Sequence, residues 1–141
     1  MLHLVKLSVG SGSVEGLRAY VDWRASQIGG GAAPARHVHT TRMVPKRREE
    51  LLDGGSIYWV IKGQIQARQR LIDIDPFTDV DGVTRCHLVM EPQLIATQWQ
   101  PKRPFQGWRY LKPEDAPHDL KEGEDSLSAD MRGELAALGL L

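Results

Sequence analysis

The stretch GQIQARQR, residues 63–70, carries polar side chains that suit recognition of an anion or a base edge. Two amides, Gln64 and Gln66, are followed at the same spacing by two guanidiniums, Arg68 and Arg70. In a strand, residues two apart point to the same side, so these four side chains are predicted to share one face. Arginine binds phosphate through paired hydrogen bonds, and glutamine can both donate to and accept from a base. The spacing therefore predicts a polar cleft wall for a phosphate-bearing ligand.

A second pair with chemical potential is His37 and His39 in the stretch HVHTTRM. If that stretch is a strand, both imidazoles lie on one face, where they could line a cleft or share a metal ion. A metal site needs a third ligand, and Cys86, His87 or His118 could supply it only through the fold. We therefore expect the two histidines to be cleft residues, with no bound metal and no cofactor.

Basic and aromatic residues occur before a predicted short helix and again in PKRPFQGWRY, residues 101–110. Those predicted to contribute to a ligand-binding surface are Arg42, Lys46, Arg103, Trp108 and Arg109. Basic side chains attract phosphates, and an indole face can stack on a base. The set favours a single-stranded or flipped nucleotide as ligand. Trp108 is equally a candidate for the core, as large aromatic residues mostly are.

Charge is unevenly distributed along a chain whose formal net charge is zero. Residues 36–112 carry thirteen Lys or Arg and eight Asp or Glu, a net of +5, whereas residues 113–141 carry two and eight, a net of −6. The zero total argues against a strongly basic nucleic-acid binder. The segregation favours an anion-binding middle followed by an acidic tail, and ordinary surface charge is the alternative.

Length and composition favour a single globular domain over residues 1–141. The hydrophobic content of 41% and charged content of 26% are ordinary for such a domain, and a chain of this length needs no staple to fold. The single cysteine, Cys86, excludes an intrachain disulfide and fits a buried thiol in a reducing compartment. No signal peptide or membrane span is recognisable, so we expect a cytoplasmic protein without membrane association.

Alternation and capping signals divide the chain into strands and helices. Strands are predicted to begin near residues 2, 37, 56, 64, 83 and 94, and helices to cover residues 14–28, 45–52 and 127–138. The first helix has Ser13 as its predicted cap and an apolar stripe of Val14, Leu17, Val21, Ala25 and Ile28. Residues 75–82 are predicted to be a loop, and residues 113–126 an exposed, weakly ordered acidic stretch before the C-terminal helix.

Residues 64–74 are compatible with a strand or a helix, because QIQARQRLIDI contains good helix formers. A strand is favoured because a Gly turn at residues 62–63 can reverse the chain after the apolar strand SIYWVI. Ile72 and Ile74 share the parity of the four polar side chains. A strand must therefore switch faces near Arg70, by a bulge or by entering the interior.

The number and order of these elements indicate the fold class. Strands outnumber helices, and the helices are not interleaved one per strand, which argues against a doubly wound sheet. The pattern predicts an α+β fold, either a small, mostly antiparallel sheet or a partly open β-barrel, with flanking helices.

Two longer stretches carry a resemblance to known families. HTTRMVPKRREELLDGGSIYWVIKGQIQARQR and RPFQGWRYL resemble an uncharacterised bacterial domain-of-unknown-function family over nearly the whole chain. The order of helix, strand, Gly turn and strand ending in Arg is also similar to the PUA-like superfamily, which includes the ASCH and EVE domains. The ASCH pattern G-x-K-x-x-E-x-R is matched by Gly63 and Arg70, whereas Ile65 and Arg68 stand at its Lys and Glu positions. The PUA-like resemblance covers residues 36–112 and implies a cleft for RNA or a modified base.

We therefore expect an RNA- or modified-nucleotide-binding domain with a basic cleft. In this cleft, Arg68 and Arg70 would bind a phosphate or a base edge, and Gln64 or Gln66 would hydrogen-bond to a base edge. Trp108 would stack on a base or form a wall of the cleft. Two alternatives stay open. One is a small hydrolase or nuclease on the same scaffold, with His37 or His39 as base. The other is a non-catalytic interaction module whose polar stripe pairs with its own acidic tail. No G-x-S-x-G elbow, phosphate loop or G-x-G-x-x-G fingerprint is present, so no catalytic residue is assigned.

Overall fold

The computed structural model describes residues 1–8, 12–28 and 36–120, without the side chains of residues 24–28. The strands are β1 His3–Leu7, β2 His37–Thr41, β3 Ser56–Ile61, β4 Gln64–Thr78, β5 Thr84–Met90, β6 Ile95–Pro101 and β7 Trp108–Leu111. The helices are α1 Val14–Ile28 and α2 Arg48–Leu52, and Pro113–Asp115 forms a 3-10 turn. None of the helices in these ranges is long and apolar enough to cross a membrane.

The strands form one mixed sheet in the order β2-β5-β4-β3-β1-β7, with β6 paired to β4 off this path. β1 runs parallel to β3, and the other strand pairs are antiparallel. A parallel pair needs a long crossover, which α1, β2 and α2 supply between β1 and β3. The predicted α+β class with a mostly antiparallel sheet is confirmed. The short strand β7 was not among the predicted strands.

β4 is the strand around which the sheet is organised. Its first half lies between β3 and β6, and its second half pairs with β5. The strand interpretation of residues 64–74 is therefore confirmed. The strand continues to Thr78, so the predicted loop at residues 75–82 is wrong for its first four residues. Proline has no backbone N–H to donate to a neighbouring strand. Pro76 is tolerated because, within the described part of the chain, β4 pairs there with β5 alone and its other edge has no strand that would need that N–H.

A β-bulge at Gln66 changes which side chains of β4 share a face. Trp59 pairs with Ala67 and Val60 pairs with Ile65, which leaves Gln66 as the extra residue. The Gln66 side chain is buried, and its Nε2 donates to a carbonyl oxygen of β3 at 2.8 Å. The acceptor belongs to Ile61, the last residue of β3, so the buried amide of the extra residue has a partner.

The bulge corrects the predicted polar stripe. Gln64 lies opposite Ile61, on the face that the helices cover. Beyond the bulge, Arg68 and Arg70 lie on the other face of the sheet. The period-two rule fails here because one extra residue reverses the parity of everything after it. The two arginines share a face, but Gln64 and the buried Gln66 are not part of it.

The two faces of the sheet carry separate apolar clusters. The helix-side cluster includes Leu4, Leu17, Val21, Leu51, Ile57, Trp59, Leu88, Met90 and Trp108. The opposite cluster consists of Val5, Tyr58, Val60, Ile65 and Leu111. A second register shift, between Leu71 and Asp73, brings both Leu71 and Ile74 into the helix-side cluster. This shift confirms that the strand changes faces near Arg70.

Both predicted helices within the described residues are present. Ser13 caps α1, because its Oγ accepts the N–H of Gly16 at 3.0 Å. Val14, Leu17 and Val21 are buried as predicted, whereas the side chains of residues 25 and 28 lie outside the description. α2 begins at Arg48 rather than at residue 45, so the predicted helix was too long at its start.

Residues 113–120, the first part of the stretch predicted to be exposed and weakly ordered, run beside the sheet and pair with β6. The Gln98 N–H donates to the His118 carbonyl oxygen at 2.8 Å, and the Leu120 N–H donates to the Ala96 carbonyl oxygen at 3.0 Å. The segment thus satisfies backbone groups on the free edge of β6. Residues 121–126 and the predicted C-terminal helix lie outside the described residues.

Candidate functional site

A cavity of about 450 Å³ lies on the helix side of the sheet, beside the first turns of α1. Ligand pockets occupy about 300–1,000 Å³, so the cavity is large enough for a small organic ligand. Its chemically informative lining residues are Lys6, Gly12, Tyr20, His37, His39 and Trp59. They come from β1, α1 and its preceding turn, β2 and β3, so four parts of the chain assemble the site.

Strand alternation delivers these side chains to one place. Lys6 lies opposite Trp59 in the parallel β1–β3 pair, on the face that carries the helix-side cluster. His37 and His39 lie opposite two core residues of β5. The prediction that the two histidines share a face is confirmed.

Aromatic rings pack around the two imidazoles. The Tyr20 ring meets His37 edge-on, with centroids 5.9 Å apart and planes at 82°. The Trp59 ring meets His39 in the same way, at 5.8 Å and 85°. These edge-to-face contacts restrict the rotation of both imidazole rings.

The fully buried Gln69 determines the tautomer of His37. Its Nε2 donates to the Glu91 carbonyl oxygen at 3.0 Å, and its Oε1 accepts the Trp59 indole N–H at 2.9 Å. Because an indole only donates and a carbonyl only accepts, the orientation of this amide is unambiguous. The same Oε1 lies 3.2 Å from His37 Nδ1, so Nδ1 must carry the proton. Nε2 is then the basic nitrogen of the neutral His37 ring.

Burial sets the charge state of the cavity. Burial is the main cause that lowers the pKa of His39 to about 4, and the positive charge of Lys6 and the neighbouring His37 lower it further. His39 is therefore uncharged at neutral pH. Burial also lowers the pKa of Lys6 from its ordinary value. An ammonium held partly out of water favours an anionic partner, because an opposite charge compensates the lost hydration.

The predicted third ligands for a metal are not grouped with the histidine pair. Within residues 1–8, 12–28 and 36–120, no group of three or more His, Cys, Asp or Glu side chains could hold a metal ion. Cys86 is buried in the helix-side cluster, as predicted, and burial raises the pKa of its thiol. His87 stacks on Phe77, with ring centroids 4.2 Å apart.

The opposite face of the sheet holds a second polar site, centred on Arg68. Its Nε and Nη2 donate to the two carboxylate oxygens of Asp119 at 2.7 and 2.8 Å, and its Nη1 donates to Ser56 Oγ at 2.8 Å. The hydrogen-bonded pair raises the pKa of Arg68 and lowers that of Asp119. A hollow of about 290 Å³ beside it is lined by His3 and Tyr58 among others. Burial, followed by the charge of Arg68, lowers the pKa of His3.

The predicted basic and aromatic surface is not one site. Trp108 is buried in the helix-side cluster and donates from Nε1 to the Met43 carbonyl oxygen at 2.7 Å, which corresponds to the core placement that the sequence left open. Arg109 lies over the Phe105 ring, with its guanidinium carbon 5.4 Å from the centroid. Arg42, Lys46 and Arg103 are exposed, and the backbone N–H of Lys46 donates to the Tyr110 hydroxyl. None of these five lines the cavity.

Three residues of the cavity were not singled out from the sequence: Lys6, Tyr20 and Trp59. Lys6 interrupts the inward-facing positions of β1 that Leu2 and Leu4 begin. A charged residue at such a position, shortly before a Gly-rich turn and a capped helix, is a signal that could have been noticed. Tyr20 and Trp59 carry no comparable local signal, because each looks like an ordinary helix or strand residue.

Comparison with known proteins establishes the family and nothing finer. The chain belongs to the family described as "Protein of unknown function (DUF1489)", whose model matches residues 4–141. The sequence resemblance to a domain-of-unknown-function family is thereby confirmed. The chain matches no curated protein and no solved structure.

Proposed function

We propose that the protein binds a nucleotide, or one nucleotide of a single-stranded RNA, in the cavity between α1 and the sheet. The observation that carries this proposal is the meeting of a lysine, two histidines and two aromatic rings around one cavity of about 450 Å³. A lysine is a point charge for phosphate, and aromatic faces stack on any base. The combination provides for both ends of a nucleotide.

The phosphate would lie at the start of α1. Gly12 and Gly16 line the cavity there. The N–H groups of Val14 and Glu15 have no acceptor within the helix, whereas that of Gly16 donates to Ser13, and the helix dipole favours an anion at that end. Lys6 supplies a full positive charge that burial has made costly to keep without a partner. A bound phosphate would return the Lys6 pKa toward its ordinary value.

The base would lie among the rings. Tyr20 is 48% exposed at the rim, where a base can stack on it, and Trp59 closes the opposite wall. A neutral His39 has one ring nitrogen that can accept a hydrogen bond from a base N–H, whereas both nitrogens of a protonated imidazole are donors.

Other features of the molecule are consistent with this proposal. The distant PUA-like resemblance implies a nucleotide cleft. Four exposed basic residues outside the cavity would attract a polyanion through their long-range electrostatic field, without contacting the bound nucleotide: Arg42, Lys46, Arg103 and Arg109. The free thiol of Cys86 fits a cytoplasmic location. Arg68 and Arg70 are not part of this cavity, because the bulge places them on the opposite face.

The test is a titration of wild type and Lys6→Met with a nucleoside monophosphate and a short single-stranded RNA at two salt concentrations. A lost charge-assisted hydrogen bond should weaken binding about 10- to 100-fold and lower the salt slope for RNA by about 0.7. Lys112→Met, which removes an exposed lysine outside the cavity, is the matched control and should change the affinity less than about twofold. Equal affinities of the two variants, or no binding by wild type, would refute the proposal.

The hydrolase alternative is favoured by one observation, the fixed Nδ1–H tautomer of His37, which makes Nε2 its basic nitrogen. The same samples test it. If the cavity hydrolyses the bound nucleotide or RNA, product should accumulate without added metal and cease in both His37→Ala and Gln69→Leu. Stable ligand over the whole titration would leave binding as the function.

A further inference from the structure

The geometry points to a second oxyanion-binding site, centred on Arg68 and separate from the cavity, which Asp119 of the same chain occupies. We infer that a phosphate or carboxylate group from outside displaces the Asp119 side chain from this site. The inference does not depend on the proposed function, because the two sites lie on opposite faces of the sheet.

The contacts of Arg68 are those of a recognition site for a two-oxygen anion. Its Nε and Nη2 donate in parallel to both oxygens of Asp119, at 2.7 and 2.8 Å. Carboxylates and phosphates present the same pair of oxygens to this fork. The third donor, Nη1, is held by Ser56 Oγ at 2.8 Å, which orients the guanidinium plane independently of Asp119.

The surroundings of Arg68 are preorganised. His3 Nδ1 accepts the backbone N–H of Ser56 at 3.0 Å, so a neutral His3 carries its proton on Nε2. The His3 ring in turn meets Tyr58 edge-on, with centroids 5.0 Å apart. The hollow of about 290 Å³ that these residues line extends beyond the ion pair, so an anion larger than a carboxylate has room beside Arg68.

The Asp119 carboxylate can leave without unfolding anything. The segment is held to β6 through the backbone of its neighbours, His118 to Gln98 and Leu120 to Ala96. The Asp119 side chain takes no part in those bonds and is 45% exposed. Rotation about its side-chain bonds would therefore free the Arg68 fork while the backbone pairing with β6 persists. A tethered anion of this kind competes with outside anions by its high local concentration.

The experiment compares Asp119→Asn with Glu114→Gln in the full chain. Both substitutions remove one negative charge from the same segment, but Glu114 is an exposed residue of the 3-10 turn. Inorganic phosphate is titrated while the Arg68 Nε–H resonance is followed by nitrogen-15 NMR. Asp119→Asn should bind phosphate about fivefold more tightly than wild type, the factor expected for loss of a partly exposed competing ion pair. Glu114→Gln should behave as wild type does.

Further arms identify the anion and separate this site from the cavity. Acetate and a short single-stranded RNA, titrated in the same way, show whether carboxylate, phosphate or both displace Asp119, and displacement by any of them supports the inference. Arg68→Gln added to Asp119→Asn should abolish the gain. Lys6→Met should leave the Arg68 response unchanged, so failure of the cavity proposal would not be mistaken for failure here.

The opposing result is a structural tether. In that case Asp119→Asn would bind phosphate no more tightly than Glu114→Gln and would lose thermal stability or amide protection at Leu120. If Asp119→Asn does not fold, the wild-type titration decides. A saturable shift of the Arg68 Nε–H resonance with phosphate supports the site, and a resonance that stays unchanged overturns it.

Discussion

Gln69 is the residue on which the order of the cavity wall depends. It is fully buried and joins His37, Trp59 and the Glu91 carbonyl through one amide. Gln69→Leu would remove the acceptor of the His37 and Trp59 ring N–H groups and the donor to the Glu91 carbonyl oxygen, and we expect it to lower the free energy of unfolding by about 3 kcal/mol. Urea unfolding measures this loss. The control is Gln93→Leu at an exposed position, which should cost less than about 0.5 kcal/mol. A similar cost for both would show that the network contributes nothing.

His39 should make stability depend on pH in a defined window. Its pKa is about 4 in the folded protein against 6.5 ordinarily, so the unfolded chain takes up a proton first as the pH falls. The stability contributed by neutral His39 is present above about pH 6.5 and is lost progressively toward pH 4. In His39→Leu, the stability should fall less steeply as the pH is lowered. Some decline should remain, because the pKa of His3 is also lowered in the folded protein.

The measurement is the free energy of unfolding at three pH values between 7.5 and 4 for wild type, His39→Leu and an exposed control, His118→Gln. Only His39→Leu should change the slope. An unaltered slope would mean that His39 is as accessible to protons in the folded protein as in the unfolded chain.

Residue-level prediction from the sequence succeeded where one local rule was enough. The shared face of His37 and His39 follows from their spacing alone. The involvement of Lys6 and Tyr20 does not, because the cavity brings together strands and a helix that are distant in the chain. Trp108 was ambiguous from sequence, and its indole N–H found a backbone acceptor in the interior, which decides in favour of the core.

At the scale of elements, the hairpin between β3 and β4 contains an unusual residue. Both central residues of the turn have positive φ, 49° at Lys62 and 78° at Gly63, as a type I′ turn requires. Lysine adopts this conformation reluctantly, whereas asparagine does so more readily. Lys62→Asn is therefore expected to raise the free energy of unfolding by about 0.5 kcal/mol, and Gly63→Ala to lower it by about 1 kcal/mol.

Paired thermal and urea melts check both changes of the turn. Lys112→Asn, the same substitution at an exposed position outside the turn, serves as control and should have little effect. Destabilisation by Lys62→Asn would indicate that the lysine side chain makes a contact worth more than the backbone strain.

The bulge at Gln66 shows why strand existence was easier to predict than side-chain direction. The apolar run, the Gly turn and the following alternation all indicated a hairpin, and the hairpin is present. Nothing in QIQARQR identifies which residue is extra. The bulge places Ile65 in the opposite cluster and Ala67 in the helix-side cluster, and this division between two faces depends on packing against residues that are distant in the chain.

For the whole molecule, sequence patterns established the α+β class but not the arrangement of its strands. The order β2-β5-β4-β3-β1-β7 includes one parallel pair, and no local pattern specifies such a neighbour. The acidic stretch was predicted from its composition to be weakly ordered. Its described part pairs with the β6 edge and carries the partner of Arg68, because an unpaired edge and a partly buried guanidinium both require partners.

The two glycines that end α2 serve the whole molecule in different ways. Gly54 has a φ of 78°, which allows the chain to leave the helix. Gly55 has no such backbone requirement, but a Cβ there would overlap the carbonyl oxygens of Leu2 and Leu51. Its N–H donates to the Leu51 carbonyl at 3.0 Å, and its carbonyl accepts the N–H of Leu71 at 3.0 Å. The N-terminal segment, α2 and β4 therefore meet at Gly55 with no room for a side chain.

Gly55→Ala should consequently damage the junction of all three segments at once. Because the obstacles are backbone atoms, they cannot rotate away as a side chain would, and we expect a loss of at least about 3 kcal/mol in the free energy of unfolding. Gly12→Ala is the matched control, since among the residues that the structure describes a Cβ there would meet the Lys62 side chain alone, at an ordinary distance of 3.5 Å. Urea unfolding of both variants provides the comparison. If Gly55→Ala cost no more than Gly12→Ala, the close approach of Leu2 and Leu51 to Gly55 would not be a constraint on this fold.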